Sequence, residues 1–351
     1  MEQTRTVVCK LNLTPEQRRD IDTTLKAFAG ACDFAAETAR RIGSTNKVKV
    51  QQEGYRAIRK QFKLSANLAI RAIARACAAL KVKEKMHSTF EPTSIDYDAR
   101  IFSFHEWNWT FGLTLLSGRI RIATALGEHQ ESLLKGQNPT AAVLVKRRDG
   151  RYFLHVQLTD ETPPQIETTS ALGVDLGVVN LAVDSDGETF GGDGVEATRQ
   201  RYSRIRKTCQ ATGTKSAKRH LQKVRRKEAN FRKDRNHKIS KAIVAKAKGT
   251  ACAIGVEDLA GIGKRTTVRK GQRNRMKGWA FYQLRSFIAY KALAVGVPVI
   301  PVDPRNTSRT CSKCGHCEKA SRKNRNDFEC QHCGLKLPAD WNAADHCYHV
   351  T

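Results

Sequence analysis

The spacing of apolar positions changes several times along the 351 residues, and each change marks a region. Residues 5–13, RTVVCKLNL, read as a strand. From Thr14 the spacing becomes helical, with Ile21, Leu25, Phe28 and Cys32 three or four residues apart. Thr14 is a capping residue, Pro15 fits the first helical position, and Gln17 completes a capping box. Gly43 follows the last turn. Ile70, Ile73, Cys77 and Leu80 mark another helix after a Ser65 cap. Residues 14–86 are therefore predicted to be a helical block.

Near residue 93 the pattern becomes strand-like. Phe111, Leu113 and Leu115 alternate, Ser-Gly turns the chain, and Ile120 and Ile122 alternate again. Val143 and Val145 precede the hairpin turn RRDGR, and Tyr152, Leu154, Val156 and Leu158 follow it. Together with the first strand, these segments predict a small β-barrel made of residues 1–13 and 87–165, with the helical block inserted between its first and second strands. The polar, Pro-containing stretch TDETPPQIETT, 159–169, reads as a linker and domain boundary.

Beyond it, SALGVDLGVVNLAVDSDGETFGG holds two apolar runs and an Asp-Gly turn, which predict a three-stranded meander. TACAIGVEDL, 250–259, and VPVIPVD, 297–303, read as buried strands, and WAFYQLRSFIAYKALAVG, 279–296, as a helix. The second half is thus predicted to be α/β.

Charge changes the picture. Lys and Arg total 62 against 34 Asp and Glu, a formal net charge of +28. An excess this large opposes a compact state unless a polyanion neutralises it, and nucleic acid is the expected partner. A ribosomal or membrane-surface role fits less well, because cationic amphipathic helices with exposed aromatics are not evident. Residues 199–241 carry seventeen Lys or Arg and two acids, Glu228 and Asp234. Such a run is commonly a solvated helix face; its density here favours phosphate contacts. GKRTTVRKGQRNRMKG, 263–278, reads as a basic loop.

MEQTRTVVCKLNLTPEQ lacks the apolar core of a signal peptide, and no run of 18 apolar residues occurs. A cytoplasmic protein with no membrane partner is expected. Its eleven cysteines then read as thiols or metal ligands, not disulfides. Cys311/Cys314 and Cys330/Cys333 form two CxxC pairs with fifteen residues between them, each followed by a glycine, Gly315 and Gly334. This spacing predicts one structural zinc on four thiolates, a zinc ribbon. Cys317 and His332 are spare potential ligands. The other cysteines read mostly as small buried apolar residues.

Asp175 sits in GVDLG and Glu257 at the end of AIGVEDL, each closing an apolar run. A lone acid there commonly faces solvent or an ion pair. Two on separate buried strands, with Asp340 opening an Ala-rich helix seven residues past Cys333, form a different pattern. Carboxylates converging across a sheet repel one another, and divalent cations such as Mg²⁺ relieve that repulsion. Two ions about 3.5–4 Å apart support phosphodiester hydrolysis. Asp345 falls off the Asp340 face and is a weak fourth candidate. Asp258 should point away from Glu257. Asp184 and Asp186 read as turn residues, and His237 as a phosphate contact or helix cap.

GVDLGVVNLAV, GVEDL, WAFYQLRSFIAYKA, NTSRTCSKCG, CQHCG and ADWNAAD together resemble the TnpB family, insertion-sequence-encoded RuvC-like nucleases related to type V CRISPR effectors. The motifs span residues 170–351; residues 1–160 match in layout alone. The resemblance implies a wedge-like barrel (1–13 and 87–165), a helical recognition insert (14–86), and an RNase H-like (RuvC) nuclease domain (166–351) with a zinc ribbon inserted at 305–338. It implies catalytic, Mg²⁺-binding acids at Asp175, Glu257 and Asp340. It also implies a guide RNA from the transposon end and cleavage of double-stranded DNA beside a short flanking motif. A type V CRISPR effector, a guide-directed DNA-binding repressor and a direct DNA-joining transposase share much of this pattern. The ribbon is expected to restart the Asp340 helix at a fixed place and to touch nucleic acid through KASRKNR, 319–325.

Overall fold

The computed structural model describes residues 2–82, 89–177, 180–190, 194–259, 281–324 and 326–350. The chain divides into two compact units, residues 1–161 and 162–351.

The first unit runs β1 (Glu2–Asn12), α1 (Pro15–Arg41), α2 (Lys47–Phe62), α3 (Ala66–Val82), β2 (Ser94–Asp98), β3 (Phe102–His105), β4 (Thr110–Leu115), β5 (Gly118–Ala125), α4 (Glu128–Leu134), β6 (Ala141–Lys146) and β7 (Tyr152–Glu161). Its strands form one antiparallel sheet in the order β2-β6-β7-β1-β5-β4-β3. The sheet curls like a barrel, with no closing ladder among the described residues. Buried Tyr97 of β2 donates its hydroxyl to the Thr114 carbonyl of β4 at 3.2 Å, so the two ends of the strand order approach each other.

Helix α1 starts where local chemistry dictates. The Thr14 hydroxyl accepts from the Gln17 amide at 3.2 Å, and the Gln17 side chain accepts from the Thr14 amide at 3.1 Å. Its apolar face (Ile21, Leu25, Phe28) joins α3 residues Leu68 and Ile73 and strand residues Phe111, Leu113, Leu154 and Val156 in one core. One local reading is corrected. The Ser65 hydroxyl finds no hydrogen-bond partner among the described residues, so it does not cap α3. On β6, Ala142 and Leu144 face the core, and Val143 and Val145 turn away from it. The register decides this: Leu144 lies opposite Leu154 and Ala142 opposite Val156, and cross-strand partners share a face.

The second unit runs β8 (Ala171–Asp175), β9 (Ala182–Asp184), β10 (Thr189–Phe190), α5 (Val195–Thr212), α6 (Lys215–Gly249), β11 (Ala253–Glu257), α7 (Phe281–Leu293), β12 (Val299–Val302), β13 (Asp327–Glu329), β14 (Lys336–Pro338) and α8 (Ala339–Val350). The central sheet has the order β10-β9-β8-β11-β12. Strands β8, β11 and β12 are parallel, while β9 and β10 turn back antiparallel. On one face Leu172, Val174, Ile254 and Val256 pack against Ile239, Ile243 and Ala247 of α6 and Leu284, Ile288 and Ala292 of α7. Alternation along the strands turns Gly173, Asp175, Gly255 and Glu257 to the opposite face, where α8 lies.

Strand β12 is not a buried strand as its sequence predicts. It is the sheet edge, with Val302 its one buried residue, and an edge tolerates Pro301, which has no N–H to give. The basic run of 199–241 lies in α5 and α6, with most of its Lys and Arg side chains exposed. The predicted basic loop 263–278 lies outside the described residues. No helix among the described residues is long and apolar enough to cross a membrane.

Candidate metal centres

Asp175 closes β8 and Glu257 closes β11, at the carboxyl ends of neighbouring parallel strands. Val174 and Val256 are in register, so the next residue on each strand is an acid on the same face. Asp340 sits in the first turn of α8, whose backbone crosses β8 at Gly173. Asp175 senses the other two acids. Burial pushes the Asp175 carboxyl well above the usual range, and the charges of Glu257 and Asp340 push it further; Arg322 and the Leu176 amide pull the other way. Burial also raises Glu257, against the Thr307 hydroxyl and Arg322. Three acids with Arg322 as the one cation among the described residues acting on Asp175 and Glu257 in this way are the setting in which carboxylates take up cations. The acids are more open than the thiol cluster: among the described residues, only the four cysteines bring three or more ligand atoms all within 4.8 Å of one another.

Neutral donors orient two of the acids. The Thr307 hydroxyl donates to Glu257 Oε1 at 2.5 Å, and Asn180 Nδ2 donates to Asp340 Oδ2 at 2.9 Å. Glu257 is 6% exposed, whereas Asp175 and Asp340 are half-buried. Asp258 turns away, as strand alternation requires, and pairs with Arg285.

The second centre is built from two knuckles. Cys311 Sγ and Cys333 Sγ are 3.6 Å apart, as are those of Cys314 and Cys330. A tetrahedral Zn²⁺ with Zn–S near 2.3 Å separates its sulfurs by about 3.8 Å, so this cluster fits that ion. Gly315 and Gly334 both have φ of +72°, a backbone that disfavours a side chain, which is why each CxxC pair ends in glycine. Their amides donate to the Cys311 and Cys330 carbonyls at 2.9 and 3.0 Å. Burial disfavours the Cys330 thiolate, but the amides of Cys333 and His332 and the neighbouring thiols outweigh it, bringing its pKa down to about 6. The spare candidates stand apart from this ligand set. Cys317 is exposed and pairs through its backbone with Thr310, and His332 stacks on His316 at 5.4 Å.

The ribbon grips the helix that carries Asp340. Asn342, fully buried, accepts from the Ser312 amide at 3.1 Å and donates to the Thr310 carbonyl at 2.8 Å. The Ala339 amide donates to the Asn326 carbonyl at 2.7 Å.

Sequence reading missed Thr307, Asn180, Asn342 and the placement of Arg322 and Cys347 near the acids. Nothing in spacing marks them; Asn180, Thr307, Arg322 and Asn342 lie inside the quoted stretches but read as ordinary polar or basic residues. Cys347 is fully buried, and Glu257 and Asp175, after burial itself, raise its thiol. Three other residues take structural places. Asp184, fully buried, ends β9 and opens the turn its sequence predicts, its carbonyl accepting from the Gly187 amide at 2.9 Å and its Oδ1 from the Asp186 and Glu188 amides, and it also pairs with Lys246 at 2.5 Å. Asp345 lies 3.8 Å from His349, one turn on. His237 is in the middle of α6, stacked on Phe287 at 4.0 Å, so it caps no helix.

A family model described as "Probable transposase" matches residues 153–265, and one described as "Cas12f1-like, TNB domain" matches residues 281–346. The first holds Asp175 and Glu257; the second holds Asp340 and all four cysteines. The resemblance to the TnpB family holds. The chain is 30% identical over 234 residues to a CRISPR-associated endodeoxyribonuclease Cas12f1 of Sulfoacidibacillus thermotolerans, covering 61% of this chain and 54% of that protein. It is also 30% identical over 222 residues to Escherichia coli K12 InsQ, provisionally named as an RNA-guided DNA endonuclease, covering 58% of this chain and 54% of InsQ. The chain thus spans about half the length of these curated relatives. The fold is shared more widely. A cryo-EM structure of a Cas12f1–sgRNA–target DNA complex superposes with a TM-score of 0.70 at 14% identity, over 96% of this chain and 83% of the other.

Proposed function

We propose that the protein is an RNA-guided, Mg²⁺-dependent DNA endonuclease encoded by a transposable element. The observation that carries the reading is the placement of Asp175, Glu257 and Asp340 on one face at the strand ends, with burial and mutual charge raising the Asp175 carboxyl. The strand order, three antiparallel strands continued by two parallel ones, supports an RNase H-like (RuvC) nuclease domain over 166–351. The relatives' names support DNA as the substrate and RNA as the guide. On this reading residues 1–13 and 87–165 form a wedge-like barrel and residues 14–86 a recognition insert.

Asp175, Glu257 and Asp340 would hold the divalent ions, which supply charge neutralisation at the scissile phosphate and an activated water. The protein's own work is placement. Thr307 and Asn180 each engage one oxygen of their acid and leave the other for an ion. Cys311, Cys314, Cys330 and Cys333 would hold one structural zinc, which fixes the root of the ribbon and, through Asn342, helix α8. Sequence choice would come from pairing between guide and target, while the exposed Lys and Arg of α5 and α6 contact the phosphate backbone. The protein itself would read a short flanking motif.

The test is purification with its co-expressed transposon-end RNA, then cleavage of a target plasmid in Mg²⁺ with and without nuclease treatment. RNA-dependent, sequence-selective cutting is expected. The "Probable transposase" description favours a second reading, a direct DNA-joining enzyme using the same acids. Strand joining by RNA-free protein would put that reading first.

A further inference from the structure

Thr307 stands where the chain leaves β12, between Val302 and the first ribbon cysteine, Cys311. Its side chain is buried, at 4% exposure. The hydroxyl lies 2.5 Å from Glu257 Oε1 and 3.3 Å from the Pro304 carbonyl. It has one proton to donate, and the shorter contact to the more strongly accepting carboxylate takes it. Glu257 Oε1 is thereby tied to the root of the ribbon. Asn180 ties Asp340 Oδ2 in the same way, and Asn342 joins the ribbon root to the helix that carries Asp340.

We propose that Thr307 is a positioning residue: its hydroxyl holds Glu257 Oε1 so that Oε2 is presented, in one rotamer, to a divalent cation shared with Asp175 and Asp340. This rests on the reading of the three acids as a cation site. The physical case is that a glutamate has three side-chain torsions and loses their freedom on binding an ion. A fixed donor to one oxygen removes that loss in advance, and outer partners of metal-ligating carboxylates typically contribute 10–100-fold in metal affinity. The ribbon root then holds two of the three acids, Glu257 directly and Asp340 through α8. Asp175 is held by β8 itself.

The test measures Mn²⁺ binding to the purified full chain by calorimetry, without reference to cleavage, together with zinc content and thermal melting. Thr307→Val keeps the shape and removes the donor; Thr307→Ser keeps the donor. Thr307→Val is expected to weaken Mn²⁺ binding by about 10–100-fold, Thr307→Ser to stay near wild type, and both to keep zinc and melting temperature. In cleavage assays Thr307→Val should need more Mn²⁺ for half-maximal rate and recover at saturation. Wild-type Mn²⁺ affinity in Thr307→Val, alongside lost affinity in Glu257→Ala, would overturn the role of Thr307 alone. Wild-type affinity in Glu257→Ala would overturn the cation site and this proposal with it. Loss of zinc or of Mn²⁺ binding in Thr307→Ser would reduce Thr307 to a structural residue and overturn the proposal.

Discussion

Gly173 of β8 and Ala344 of α8 meet backbone to backbone: a Cβ on Gly173 would lie 2.0 Å from the Ala344 carbonyl oxygen and 2.6 Å from the Tyr348 amide. Helix α8 therefore rests directly on the strand that ends in Asp175. Neither contact is the far end of a flexible side chain, so neither can yield without moving α8, and Asp340 moves with it.

Gly173→Ala is accordingly expected to push α8 off the sheet, destabilising the protein by about 1–3 kcal/mol, the usual scale of overpacking. Cleavage should fall more than melting temperature does, because Asp340 is displaced. Differential scanning fluorimetry and a cleavage time course on one preparation check this; wild-type behaviour in both would show that α8 is not held by that contact.

The raised Asp175 carboxyl makes a prediction about metal-free protein. Burial is the largest cause, followed by Glu257 and Asp340. A carboxyl whose pKa is higher folded than unfolded stabilises the fold fully below the unfolded value, about 3.9, and that contribution is lost as pH rises through the folded value. Metal-free wild type should thus lose stability from acid toward neutral pH through this group. Asp175→Asn cannot ionise and should remove that loss, raising the melting temperature at pH 7.5 by about 2–4 °C for each kcal/mol regained. Mg²⁺ should stabilise wild type and leave the variant nearly unchanged. A lower melting temperature in metal-free Asp175→Asn would contradict the repulsion.

Asp175→Ala, Glu257→Ala and Asp340→Ala should each slow cleavage by more than about a hundredfold, the scale of losing one preorganised charge-stabilising group. Affinity for nucleic acid should not fall, because removing a carboxylate lowers negative charge near the phosphates. Gel shift and cleavage on matched preparations decide it, and a variant that cuts at the wild-type rate removes its residue from the site.

Metal analysis should find about one zinc per chain, the capacity of a single four-thiolate site. Cys330→Ser should lose it, and cleavage with it, since Asn342 then grips a ribbon root that is no longer fixed. Full zinc in that variant would point to Cys317 or His332, which this structure places outside the four-sulfur cluster.

What the sequence determined by itself is what short stretches enforce. The start of α1 follows from the Thr14–Gln17 capping box, which closes within four residues. The two knuckles follow from CxxC-Gly, because the sulfurs and the left-handed glycine belong to one turn. Strand alternation already turned Asp258 away from Glu257. Tertiary structure decided the rest. Val143 and Val145 look like core residues until the register with β7 turns them out, and VPVIPV looks buried until the sheet ends beside it. The partners of the acids were illegible for the same reason: Thr307 reaches Glu257 across 50 positions and Asn180 reaches Asp340 across 160. Local propensity carries no information about such pairs. They exist because β8, β11 and α8 pack together, and only the packed backbone fixes which polar side chain stands within a hydrogen bond of a carboxylate.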